Sequence, residues 1–78
     1  MLETIVEKKI VKNGKYRVEL DYGFYIDKKD DFKAKYTLHE KIYNDKGTNI
    51  HTIITTDPKV NRQYFKERLN YYQNNYQQ

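Results

Sequence analysis

The chain has 78 residues, with 15 Lys and Arg against 11 Asp and Glu, and contains neither Cys nor Ser. A chain of this length buries only about 60–65% of its unfolded surface, so it builds one thin core and no deep catalytic cleft. Without Cys there is no disulfide, thiolate nucleophile or Cys-based metal site, and without Ser there is no Ser–His–Asp triad.

No apolar run approaches the ~20 residues of a membrane span, and Met1-Leu2-Glu3-Thr4-Ile5 lacks the charged-then-apolar layout of a signal peptide. The expectation is a single domain over residues 1–78, cytoplasmic and off the membrane. The net charge of +4 favours anionic partners. Nine Tyr with abundant Lys, Asn and Ile match the residue usage of AT-rich genes, common in low-GC bacteria, their phages and plasmids.

In chain order, Asn13-Gly14 separates two strand-like runs, Thr4 to Lys12 and Lys15 to Asp27, and Asn-Gly is a strong two-residue hairpin signal. If Lys12 faces Lys15, Val11 opposes Tyr16, Lys9 opposes Val18, Glu7 opposes Leu20 and Ile5 opposes Tyr22. The second run alternates Tyr16, Val18, Leu20, Tyr22, Phe24 and Ile26 against Arg17, Glu19, Asp21, Gly23, Tyr25 and Asp27. That pattern predicts one buried face and one wet face.

Asp27 to Asp31 reads as a charged loop. A third strand follows, with Phe32, Ala34, Tyr36, Leu38 and Ile42 against Lys33, Lys35, Thr37, His39, Lys41 and Tyr43. Asn44-Asp45-Lys46-Gly47 predicts a type I turn ending in a left-handed glycine, and a fourth strand runs from Asn49 to Thr56. The register places Ile42 opposite Ile50 and Leu38 opposite Ile54, apolar against apolar.

Asp57 is the expected N-cap and Pro58 the expected first residue of a helix reaching about Tyr72, with 73–78 a frayed polar tail. Phe65, Leu69, Tyr72 and Tyr76 form its core stripe at helical spacing. Val60, Tyr64 and Tyr71 form a second stripe, set off by Asn61, Arg68 and Asn75. The second stripe either wraps the sheet edge or stays exposed as an interface with a protein partner or a second copy of the chain in a homodimer. The fold class is therefore α+β: a four-stranded antiparallel meander with one C-terminal helix on one face (ββββα). Val18, Leu20, Tyr36, Leu38, Ile54, Phe65 and Leu69 are the expected core.

Catalysis has little material. His39 and His51 are the only imidazoles and lie on the expected outer face without the further ligands zinc requires. Gly14, Gly23 and Gly47 are dispersed rather than gathered into a phosphate loop. Lys28 and Lys29 interrupt the carboxylates Asp27, Asp30 and Asp31, which lack the regular spacing of a calcium loop. The reading is a non-enzymatic binding module with no catalytic residue, metal or cofactor.

The informative surface is the sheet face away from the helix. Lys8, Lys12, Lys15, Arg17, Lys33, Lys35, Lys41 and Tyr43 are its expected nucleic-acid contacts, accompanied by Tyr25, Thr37, His39, His51 and Thr55. Basic, hydroxyl and aromatic groups on a sheet suit phosphate contacts and base packing. The plainer reading is that strand lysines solvate the face and guard its edges. The alternative function is a phage- or plasmid-type inhibitor or regulator, binding a larger nucleic-acid-handling complex or an acidic surface of a partner protein. The many tyrosines favour it, since Tyr is enriched at interfaces.

Overall fold

The computed structural model describes residues 3–74, apart from the side chain of Asn13. Strands β1 (Thr4–Asn13), β2 (Tyr16–Asp27), β3 (Lys33–Tyr43) and β4 (Asn49–Thr56) precede a helix, α1 (Arg62–Asn74). The strands form one antiparallel sheet in the order β1-β2-β3-β4, as the alternation and turn signals predict. The molecule is a slab 44 Å long and 16 Å thick, with α1 packed chiefly over β1 and β2. No helix among the described residues is long and apolar enough to cross a membrane.

The even-numbered face of β2 carries the core. Val18, Leu20 and Tyr22 join Val11, Leu38, Ile42, Val60, Phe65 and Tyr72, with Tyr16, Tyr36, Tyr64 and Leu69 packed against them. The Tyr22 ring stacks on Phe65 at 5.2 Å between centroids, tying β2 to α1. Ile54, an expected core residue, is instead 59% exposed.

The first hairpin differs from expectation by two residues. Asn13 pairs with Tyr16, so Val11 opposes Val18, Lys9 opposes Leu20 and Glu7 opposes Tyr22. Gly14-Lys15, not Asn13-Gly14, is the loop centre, and Gly14 carries its positive φ of 64°. An even slip preserves side-chain parity, so β1 from Glu7 onward presents the expected faces. A bulge between Ile5 and Glu7 then places Ile5 opposite Gly23 rather than Tyr22.

The last hairpin departs by one residue, with larger consequences. The turn forms as predicted: Gly47 N donates to Asn44 O at 3.0 Å, Gly47 takes a φ of 82°, and Tyr43 faces Asn49. Past it the register slips, because Ile42 faces His51 and Leu38 faces Thr55 instead of Ile50 and Ile54. The cause is the Asn49 side chain, whose Nδ2 donates to both Ile42 O and His51 O at 3.1 Å. It spans the gap and leaves Ile50 as the extra residue of a bulge. An odd slip exchanges faces. Ile54 therefore points outward, while His51 and Thr55, expected outside, lie on the helix side.

Two further differences are local. Phe32 is outside the strand and 66% exposed, because Asp31 and Phe32 both adopt left-handed φ values of 55° and 57°. They follow a 3₁₀ turn at Lys28–Asp30, capped by Asp27 accepting from Lys29 N. Asp57 is not the helix cap. Its N–H donates to Tyr36 O at 2.9 Å, extending the β3–β4 ladder into a cis Asp57-Pro58 bond. Asn61 caps α1, its Oδ1 accepting from Tyr64 N at 2.7 Å. The helix passes Tyr72 to Asn74, and Tyr76 of the core stripe and Asn75 of the line between the stripes lie outside the described residues.

Candidate nucleic-acid interface

The outer face is a set of cross-strand rows fixed by the register. Lys12, Arg17 and Tyr43 form one row at the end bearing both hairpin turns. The next contains Ile10, Glu19, Lys41 and Thr52, followed by Lys8, Asp21, His39 and Ile54. Tyr25 beside Lys35 and Asp27 beside Lys33 close the far end. At ~3.3 Å per residue, the eight steps from Lys33 to Lys41 separate the basic ends by roughly 26 Å.

The eight expected contacts therefore do not form one patch. Lys8 lies 4.0 Å from Glu19 and 3.9 Å from Asp21, so its charge is shared between two carboxylates. Lys35 donates to Asp30, and that hydrogen bond raises its pKa by stabilising the ammonium. Lys33 lies opposite Asp27. At the turn end, by contrast, Lys12, Lys15, Arg17 and Lys41 make no ion pair among the described residues. A shallow groove between the two hairpin tips, about 370 Å³, is lined by Lys12, Lys15 and Arg17 with Asn44 and Asp45.

Arg17 and Tyr43 give this end its geometry. The guanidinium carbon lies 4.5 Å from the centroid of the Tyr43 ring, within cation–π range. This contact positions a guanidinium, the group suited to bidentate phosphate recognition, beside an aromatic ring.

The middle of the face has opposite character. A pocket of about 210 Å³ is lined by Glu3, Asp21, Gly23, Thr37, His39 and Lys41, among others. Glu3 accepts from Thr37 Oγ1 at 2.9 Å and lies 3.3 Å from His39 Nε2. No group of three or more His, Cys, Asp or Glu among the described residues is arranged to hold a metal ion.

The second helix stripe is not a uniform exposed strip. Val60 is 3% exposed and belongs to the core, Tyr64 packs against it, and Tyr71 remains 40% exposed. Val60 and Tyr64 join the core stripe against the sheet because the line between the stripes is occupied. Asn61 caps the helix, and Arg68 turns inward to a carboxylate that the sequence reading passed over. Glu40 is completely buried on the helix side of β3, where its Oε1 accepts from Arg68 and Tyr72. The signal was available, since position 40 falls on the inward phase of the β3 alternation.

No family model, curated protein or solved structure matches this chain.

Proposed function

We propose that this chain is a non-enzymatic binding module that contacts nucleic acid through the turn end of its outer sheet face. The observation that carries the reading is the Lys12–Arg17–Tyr43 row, flanked by Lys15 and by Lys41 opposite Glu19, whose four cations make no ion pair among the described residues. In this reading the four cations contact phosphates, and the Arg17 guanidinium held over Tyr43 fixes the register of the backbone. Lys8 and Lys35 play a lesser part because each is ion-paired, and Lys33 because it stands at the far end of the face.

The test is binding to labelled duplex and single-stranded oligonucleotides across a salt series. Four phosphate contacts on duplex DNA give a log–log slope of about −3.6, from about 0.9 counterion per contact. Lys12→Glu, Arg17→Glu and Lys41→Glu together should abolish binding, while Lys33→Glu with Lys35→Glu should weaken it far less. No binding at low salt, or equal losses in both variants, would overturn the proposal.

One observation favours the second reading, a regulator that binds a partner protein. Ile5, Val6 and Ile10 expose 53%, 43% and 52% of their surface along β1, and apolar side chains gathered on one edge suit a protein contact. A low-salt binding failure with specific capture of a partner would move the assignment there.

A further inference from the structure

The two edges of the sheet are not alike. β1 exposes Ile5, Val6 and Ile10, but it intersperses them with Glu7, Lys8, Lys9 and Lys12 and is broken by the bulge at Val6. Charges and bulges are the usual means of preventing an edge from pairing with another chain. β4 reads Asn-Ile-His-Thr-Ile-Ile-Thr-Thr, with no Asp, Glu, Lys or Arg and no Pro. Four of its side chains are β-branched Thr or Ile between Thr52 and Thr55, and the helix lies mainly over the opposite half of the sheet. Ile50 and Ile54 are 49% and 59% exposed. Among the described residues, no strand pairs with the free side of β4.

The direction of its backbone groups follows from one hydrogen bond. Asp57 N donates to Tyr36 O across the ladder, so Thr55, Ile53 and His51 also turn their N–H and C=O toward β3. Thr52, Ile54 and Thr56 then turn theirs outward. The edge has defined ends: the Asn49–Ile50 bulge closes one, and Pro58, without an N–H, follows the other.

We propose that β4 pairs antiparallel with β4 of a second copy of this chain, about a two-fold axis at Ile53. In that register Thr52 and Ile54 of one copy face Ile54 and Thr52 of the other, and each such pair exchanges two backbone hydrogen bonds. Ile53 meets its own counterpart across the axis. The second copy is the occupant that the charge pattern selects. An uncharged strand set against itself produces no like-charge pair, and the guarded β1 edge prevents further growth, so the assembly closes as a dimer. The axis stands perpendicular to the sheet, which places both outer faces on the same side of one eight-stranded sheet. A seam of two edge strands is smaller than the ~1,200 Å² of a standard stable interface, so the dimer is concentration-dependent.

The experiment is sedimentation equilibrium of the full chain over a wide concentration range. Wild-type protein should rise from monomer to dimer mass. Ile54→Lys places a charge on the seam, and Thr52→Pro removes an outward N–H that the β3 ladder does not use. Both variants should retain the wild-type circular dichroism and remain monomeric. The chain has no native Cys, so single cysteines give an independent readout should Thr52→Pro fail to fold. A non-hydrogen-bonded antiparallel pair has Cα atoms about 4.5 Å apart, inside the disulfide range of about 4.4–6.8 Å. Ile53→Cys should therefore oxidise to a covalent dimer, and Ile10→Cys on β1 should not. A wild-type chain that stays monomeric at every concentration, folded Ile54→Lys protein that dimerises like wild type, or equal cross-linking at both cysteines would overturn the proposal.

Discussion

Arg68 grips Glu40 across the seam between α1 and β3, its Nε and one Nη donating to the same carboxylate oxygen at 3.0 and 2.8 Å. The Tyr72 hydroxyl donates to that oxygen at 2.6 Å, while Glu40 Oε2 is buried with no hydrogen-bond partner. Removing one member of a buried pair leaves the other charge uncompensated, at a cost of about 3–5 kcal/mol. Domains of this size have a total stability near the lower end of about 5–15 kcal/mol. Arg68→Ala should therefore be largely unfolded in a urea titration, whereas Glu40→Met with Arg68→Met should recover most of the loss. A double variant no more stable than Arg68→Ala alone would show that the pair is not the source of the effect.

Gly23 lies against the main chain of Thr4 and Ile5 with no room for a side chain. A Cβ there would stand only 2.3 Å from Thr4 O, and the obstacle is main chain rather than a movable side chain. Gly23→Ala should push the start of β1 off β2 and lower stability by roughly 1–3 kcal/mol, the usual range for overpacking. Amide exchange should rise at Thr4 and Ile5 while Val11 and Val18 remain protected. Unchanged exchange at Thr4 would count against this account.

Alkaline pH should unfold the domain through its tyrosines. Burial raises the pKa of Tyr72, with Glu40 beside it adding to the shift, and burial also raises Tyr22, with Tyr36 contributing. A phenol with a folded-state pKa above its unfolded value of about 10 keeps its proton longer when folded. Its contribution to stability is intact below pH ~10 and declines as pH rises toward the folded values. A phenolate titration should show Tyr72 ionising together with loss of structure, and Tyr72→Phe should blunt that pH dependence.

The β4 bulge gives a prediction about chain length. Deleting Ile50 leaves the Tyr43–Asn49 and Ile42–His51 pairings adjacent and the ladder regular, so the melting temperature should change little. Deleting Ile53 from the same strand shifts the following residues to opposite faces and should be far more damaging. Equal effects would mean that the bulge does not set the register.

The contrast between the two hairpins explains how far the sequence could be read. Strict alternation in β2 and the glycines at 14 and 47 were enough for strand order and the inward set Val18, Leu20 and Leu38. A two-residue error at Gly14 was harmless because faces repeat every second residue. A one-residue error at Ile50 was not, and it arose from a side-chain amide bridging two carbonyls, which leaves no trace in hydrophobic periodicity. The candidate site was legible as a basic face but not as a basic end. Which lysines are offset depends on pairings such as Lys8 with Asp21 and on Asp30 folding back onto Lys35. Glu40 and Arg68 were visible as residues, but their partnership joins positions 28 apart in sequence.

The ion pair between Arg62 and Glu7, 3.0 Å long and 55 residues apart in sequence, separates two kinds of contact in time. Every strand pairing in the meander joins neighbours along the chain, which a growing sheet can zip turn by turn. Only the docking of α1 brings the C-terminal segment back to β1, so it is expected to complete late, after the sheet has formed. Truncating Phe65 or Tyr72 should then accelerate unfolding far more than it slows folding, whereas truncating Leu20 or Leu38 should act on both arms of a chevron plot. The helix is thus a latch on the lifetime of the folded sheet rather than the nucleus from which it grows.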